Sequence, residues 1–257
     1  MKKYKLGLIG YPLTHSFSKK YFSEKFACDQ LSFISYHNFP IENIHQFPQL
    51  LKNNPDLIGL NVTLPYKEKI LAYTNRQSDD VKAIGAANTL VITDNGEVHA
   101  YNTDIYGFKE SLKPYLRSYH NKALILGTGG AAKAVAHALK QLQIDFLMVS
   151  RTPKNDQEIG YEEINKDLMK SYLLVINTTP LGMMPQVDLS PSLPYDFITA
   201  QHLFYDLVYN PPLTNFLRQA SNKGATAVNG LNMLHLQAEK SWQIWLKNSA
   251  IKFKKKC

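Results

Sequence analysis

The sequence predicts an α/β protein built as two domains, the second of them doubly wound. Three observations predict it. Short apolar runs alternate with helical segments from end to end. One run, Ala123-Leu124-Ile125-Leu126, is apolar without interruption, as in a parallel strand covered on both faces. A glycine-rich turn and an alanine-rich segment follow it directly, which is the order strand, turn, helix.

In the first half, Leu6 to Gly10 reads as a strand and Ser18 to Phe26 as a helix. Ser32 to Asn38 alternates apolar and polar residues, a strand pattern, and Ile41, Ile44 and Phe47 recur at helical spacing. Leu57 to Val62 is strand-like, and Pro65 after it suits the first turn of a short helix. Leu90 to Ile92 and Val98 to Tyr101 flank Asp94-Asn95-Gly96, a hairpin signal. A helical pattern runs from Asp104 to Leu116. In the second half, strands are expected at Ala123–Leu126, Phe146–Val149, Leu173–Ile176 and Leu203–Val208. Helices are expected from the glycine turn to about Leu142, at Asn215–Asn222 and at Leu231–Leu246.

Composition narrows the class. Hydrophobic residues make up 44% and charged residues 19% of the 257, an ordinary globular balance. The formal charge of +8 is spread out, apart from Lys252 and Lys254–Lys256, and no basic stripe interleaves with aromatics. That argues for a solvated surface that also suits anionic small molecules, and against nucleic acid. The apolar run after Met1-Lys2-Lys3 is too short for a signal segment, and no stretch reaches the length of a membrane span. Two cysteines, Cys28 and Cys257, imply no disulfide framework, so the cytoplasm is the expected compartment. The histidines are scattered without zinc-ligand spacing, so no metal is expected.

Gly127-Thr128-Gly129-Gly130-Ala131-Ala132 is a G-x-G-x-x-A fingerprint between a strand and a helix. Gly127 permits the tight turn, Gly129 lets backbone approach a pyrophosphate, and Ala132 allows close helix–strand packing. Amide groups at the helix start would face the phosphates. A turn selected for packing alone is the plain alternative. An NAD site places Asp or Glu at the end of the next strand, roughly 20 residues on. This chain has Ser150-Arg151-Thr152-Pro153-Lys154 there, with two cations and no carboxylate. A guanidinium matches a 2′-phosphate by paired hydrogen bonds, so NADP (NADPH) is the expected cofactor.

Reduction of a carbonyl also needs a proton donor and groups that fix the substrate. Asn61-Val62-Thr63-Leu64-Pro65-Tyr66-Lys67 places a lysine after a strand end, and Asn102-Thr103-Asp104 places a carboxylate after another. Together with Gly10-Tyr11-Pro12-Leu13-Thr14-His15-Ser16-Phe17-Ser18, Gly85-Ala86-Ala87-Asn88-Thr89, Asn177-Thr178-Thr179, Tyr205 to Tyr209 and Asn229 to Leu234, these segments fall in one order. The ordered set resembles the shikimate dehydrogenase family over nearly the whole chain.

The resemblance implies an N-terminal α/β substrate domain over 1–104 and a Rossmann-type doubly wound NADP domain over 105–233, with the last helix, 234–257, returning to the first domain. It implies reversible reduction of 3-dehydroshikimate to shikimate with NADPH, on the route to chorismate and the aromatic amino acids. Lys67 and Asp104 would be the catalytic pair. Ser16, Ser18, Thr63, Asn88, Asp104, Tyr209 and Gln237 would bind substrate. Asp79, Gly127, Thr128, Gly129, Gly130, Ala131, Ser150, Arg151, Thr152, Lys154, Leu207 and Gly230 would bind cofactor. The chain departs from the family pattern at Lys19, where proline is usual, at Tyr21-Phe22 in place of His-Asn, and at Asn155 in place of a second arginine.

Each residue alone has a plainer reading. Ser16 and Ser18 cap helices as readily as they bind anions, Lys67 suits a solvated surface, Asp104 suits an N-cap, and Trp242 and Trp245 suit packing. Three alternatives stay open: a quinate/shikimate enzyme with relaxed preference, an NAD user, and an NADP-binding regulatory protein without chemistry. A homodimer is also open.

Overall fold

In a computed structural model, residues 3–13 and 17–248 are described. The chain divides into two compact units, Met1–Thr103 with Ala238–Cys257, and Asp104–Gln237.

The first unit contains β1 (Tyr4–Gly10), α1 (Phe17–Cys28), β2 (Ile34–Pro40), α2 (Phe47–Asn53), β3 (Leu57–Val62), β4 (Arg76–Gln77), α3 (Asp79–Ile84), β5 (Thr89–Ile92) and β6 (Val98–Tyr101). Its sheet runs in the order β2-β1-β3-β5-β6-β4. β1 pairs with β2 and β3 in parallel, whereas β5 is antiparallel to both β3 and β6. All six residues of β3 are buried, as a central strand requires. Asp94-Asn95-Gly96 closes the β5–β6 hairpin, with Gly96 in the left-handed region at φ 82°.

Helices cover both faces of this sheet. On one side Phe47 and Leu50 of α2 join Leu60, Ile70 and Val81. On the other, Phe22 and Phe26 of α1 meet Trp242 and Trp245 of α8 (Leu231–Asn248), the last helix. Both tryptophans are core residues, as the sequence suggests. The Trp245 ring lies over Gly59, where a Cβ would collide with the indole, and its Nε1 donates to the Leu90 carbonyl at 2.8 Å.

The second unit contains α4 (Asp104–Leu112), β7 (Lys122–Leu126), α5 (Gly130–Gln141), β8 (Asp145–Val149), β9 (Glu158–Ile159), α6 (Lys166–Ser171), β10 (Leu174–Asn177), β11 (Leu203–Asp206), α7 (Asn215–Asn222), β12 (Thr226–Asn229) and the start of α8. Its strands lie in the order β12-β11-β10-β7-β8-β9, all parallel. The chain starts in the middle at β7, winds outward to β9, then returns to β10 and winds outward the other way. This is the doubly wound dinucleotide order, and its switch point lies between β7 and β10.

Three expected elements differ. Pro65 opens no helix: Tyr66 N–H closes a turn on the Thr63 carbonyl at 2.9 Å, and a short 3₁₀ segment begins only at Lys69. The turn carries Tyr66 inward, where its ring is buried and its hydroxyl donates to the Ile41 carbonyl at 2.5 Å. The helix from Asp104 stops at Leu112 and tightens into a 3₁₀ turn, Lys113–Tyr115, because Pro114 has no N–H to continue it. β11 ends at Asp206, not Val208, because the Val208 N–H turns back to Asp206 Oδ1 at 3.0 Å. The short β4, α3, β9, α6 and β12 come in addition.

Candidate active site

In the first unit, the chain segments after β1 and β3, before β5 and after β6 are tied together by backbone hydrogen bonds. Thr63 N–H donates to the Ile9 carbonyl at 2.9 Å and Tyr11 N–H to the Leu64 carbonyl at 3.1 Å. Ala87 N–H donates to the Lys67 carbonyl at 2.8 Å, and Asn88 N–H to the Tyr101 carbonyl at 3.1 Å. The backbones carrying Thr63, Lys67 and Asn88 are therefore neighbours at one end of the sheet.

Beneath them lies a buried polar network. Asn88 is 3% exposed; its Oδ1 accepts the Thr103 N–H at 2.7 Å and its Nδ2 donates to Thr103 Oγ1 at 3.0 Å. This fixes the residue that precedes Asp104, itself buried at the start of α4. Ser241, on the last helix, reaches Thr89 Oγ1 at 2.8 Å and Thr103 Oγ1 at 3.1 Å. Asn61 Nδ2 donates to Ser241 Oγ at 3.1 Å, and its Oδ1 accepts the Tyr36 hydroxyl at 2.8 Å. Ser18, in the first turn of α1, hydrogen bonds to the same Tyr36 oxygen. Burial pushes the Tyr36 phenol far above its ordinary value and the Ser18 bond opposes this, so Tyr36 stays neutral and donates. A fully paired network of this kind holds its members in one arrangement.

Ser16 lies outside the described residues. Gln237 is buried on α8 beside Gly107 of α4, where a Cβ would come within 2.9 Å of the Gln237 Cβ. Tyr209 is half-buried, and burial raises its phenol pKa. Asp79 is the first residue of α3 in the first unit, fully exposed, with Lys82 Nζ 3.7 Å away.

In the second unit a cleft of about 710 Å³ opens at the switch point. Gly127, Thr128, Gly129, Ser150, Arg151 and Thr152 line it, as does the Thr178–Leu181 segment after β10. Gly127 has φ 108°, and a Cβ there would stand 2.8 Å from Thr178 Oγ1. The strand-to-helix turn therefore demands glycine at this position. Gly129 is different. Its φ is an ordinary −76°, and a Cβ on it would meet no protein atom within 4 Å. Nothing inside the chain requires glycine there, whereas a ligand laid against the backbone would. Ala132 is completely buried, in keeping with close packing of α5 on the sheet. Gly130 and Ala131 form the first turn of α5, whose unpaired N–H groups suit an anion.

Arg151 and Lys154 lie on the connection from β8 to β9, both exposed and without an ion-pair partner among the described residues. Leu207 and Gly230 are not among the residues that line this cleft, and they meet each other: a Cβ on Gly230 would collide with the Leu207 backbone. Two groups went unnoticed in the sequence. The first is the Tyr36 and Ser241 support beneath Asn88, which comes from two distant segments. The second is the rest of the cleft lining, which includes Tyr161, Gln186 and Ser190. Neither carries a local spacing signal.

One further group sits at the ends of β10 and β11. Asp206 is completely buried and accepts from Asn177 Nδ2 at 2.9 Å, Val208 N–H at 3.0 Å and the Thr214 hydroxyl at 2.6 Å. Burial raises its carboxyl to about 6 despite these three donors. Among the described residues no helix is long and apolar enough to cross a membrane, and no group of His, Cys, Asp or Glu is placed to hold a metal.

The profile for the shikimate dehydrogenase substrate binding domain matches residues 8–90. The NADP(+) shikimate dehydrogenase of Carboxydothermus hydrogenoformans is 36% identical over 256 residues, covering 93% of this chain and 90% of that one. The Thermus thermophilus shikimate 5-dehydrogenase, solved with NADP(H) and shikimate, has a TM-score of 0.81 and 31% identity over 95% of this chain and 94% of its own. The Listeria monocytogenes enzyme, solved with shikimate and NAD, has a TM-score of 0.85 at 25% identity, over 95% of this chain and 92% of its own. By sequence and fold together, the chain belongs to the shikimate dehydrogenase family.

Proposed function

We propose that this protein reversibly reduces 3-dehydroshikimate to shikimate with NADPH. The observation that carries the reading is the cleft at the switch point. There the glycine turn and Arg151 line the same cleft, and Gly129 is a glycine that no internal contact explains. The fold belongs to a family whose members are named for this reaction.

The residues present fit the cofactor. Gly127 to Ala131 would receive the pyrophosphate on backbone N–H groups, and Ser150, Arg151, Thr152 and Lys154 would surround the 2′-phosphate. When bound, the nicotinamide supplies the hydride. Leu207, Tyr209 and Gly230 would lie toward that ring or the substrate edge, and Asp79 toward the cofactor. Ser16 and Ser18 would donate to the substrate carboxylate. The Ser18 hydroxyl is bonded to the Tyr36 oxygen, so carboxylate binding would turn its proton outward while Tyr36 keeps donating to Asn61 Oδ1. Thr63, Asn88 and Gln237 would contact ring hydroxyls. The Lys67 ammonium would hand a proton to the carbonyl oxygen as it gains charge, with the Asp104 carboxylate orienting that ammonium and holding a substrate hydroxyl.

The test is NADPH oxidation with 3-dehydroshikimate. Lys67→Ala should lower turnover by roughly 10²–10⁴ while NADPH still binds, because it removes a group used in the transition state. Unchanged turnover would end the mechanism and leave a nucleotide binder.

A further inference from the structure

The connection between β8 and β9 is unusual for its topology. Parallel neighbours are normally joined by a crossover of a dozen or more residues, commonly a helix. Here only residues 150–157 intervene, and none of them is helical. This connection carries the two cations assigned to the 2′-phosphate, and it has no helix to brace them.

One side chain replaces that brace. Glu158, the first residue of β9, reaches back along the connection with both carboxylate oxygens. Its Oε2 accepts the Lys154 backbone N–H at 3.1 Å, and its Oε1 accepts Asn155 Nδ2 at 3.0 Å. Asn155 completes the fold of the loop: its Oδ1 accepts the Gln157 N–H at 3.0 Å, and its carbonyl accepts the Glu158 N–H at 2.9 Å. Ser150 closes the other end, its Oγ accepting the Thr152 N–H at 3.2 Å. The ladder then resumes, with Ser150 N–H donating to the Ile159 carbonyl at 2.9 Å. Arg151 thus projects from a loop pinned at both ends, and at the 154–155 end the pin is the Glu158 carboxylate.

We infer that Glu158 is the positioning residue for cofactor choice, setting preference for a 2′-phosphorylated dinucleotide by holding the Arg151–Lys154 loop in shape, although it is itself an anion. The inference rests on the 2′-phosphate reading given above. It also explains why Asn155 stands where the family has a second arginine: the amide spans Glu158 and Gln157, which a guanidinium, lacking an acceptor, does not do. Positioning and charge predict opposite signs. As a charge, Glu158 would repel a phosphate, and its removal would tighten NADPH binding. As a brace, its removal would loosen it.

The experiment compares KM for NADPH and for NADH, with 3-dehydroshikimate, in the full-length wild type and in Glu158→Ala, Glu158→Gln and Arg151→Ala. Loss of two hydrogen bonds of ordinary strength should raise KM for NADPH about 5- to 150-fold in Glu158→Ala and leave KM for NADH in place. Glu158→Gln keeps one acceptor and should fall between; it also guards against misfolding of the alanine variant. A fall in KM for NADPH, or an equal rise for both cofactors, overturns the inference. If Arg151→Ala discriminates between the cofactors and Glu158→Ala does not, the inference alone falls. If Arg151→Ala affects both equally, the 2′-phosphate reading fails and the role of Glu158 goes with it.

Discussion

Replacing Asp206 by asparagine should change how the stability of this protein depends on pH. The carboxyl is raised from the ordinary 3.8 to about 6 by burial, so the folded state holds its proton more tightly than the unfolded state. Between those two values the folded protein binds more protons, and its stability falls as pH rises. A separation of that size corresponds to about 3 kcal/mol at 1.36 kcal/mol per pH unit. The contribution is fully present below about pH 4 and gone above about pH 6. Asparagine mimics the protonated carboxyl: its Oδ1 can accept from Asn177 and Val208 while its Nδ2 donates to a turned Thr214 hydroxyl. The stability of Asp206→Asn minus that of wild type should therefore grow by about 3 kcal/mol between pH 4 and pH 8. Taking the difference removes the opposite trend of Glu97 and Asp196, whose carboxyls are lowered by bonds to His99 and Lys223. The assay is urea unfolding in a pH series, followed by circular dichroism. Parallel curves for the two proteins would refute the reasoning and mean that the three donors fully offset the cost of burial.

Two further outcomes follow from close contacts. Gly127→Ala would force an L side chain to φ 108° and press it on Thr178 Oγ1, which is held by the Leu126 carbonyl at 2.7 Å. A cost of about 2–4 kcal/mol is expected, with loss of NADPH binding by fluorescence titration, and retention of both stability and binding would contradict it. Trp245→Phe removes the indole N–H and leaves the buried Leu90 carbonyl without its side-chain donor. A loss of about 1–3 kcal/mol should lower the urea midpoint, and an unmoved midpoint would count against the contact.

The chemistry of the cofactor half was legible because it is local. A glycine turn between an apolar strand and an alanine-rich helix, with Arg151 at the end of the next strand, lies within one short stretch of chain. Each residue there answers a constraint imposed by its neighbours. Gly127 is the clearest example, since its φ of 108° in the strand-to-helix turn calls for glycine. The turn at Pro65 was misread as a helix start because proline suits both. The burial of Tyr66 decided between them, and that depends on a core assembled from distant strands.

Alternation of strands and helices and the two motif regions are properties of the sequence by itself, because period and turn chemistry act over a few residues. Tertiary structure alone decided the order of the strands, the antiparallel insertion of β5, and the support beneath Asn88. That support pairs Ser241 with Thr89 across 152 positions and Tyr36 with Asn61 across 25. Hydrogen bonds between residues so far apart leave no period in the chain; only folding brings their donors and acceptors within reach.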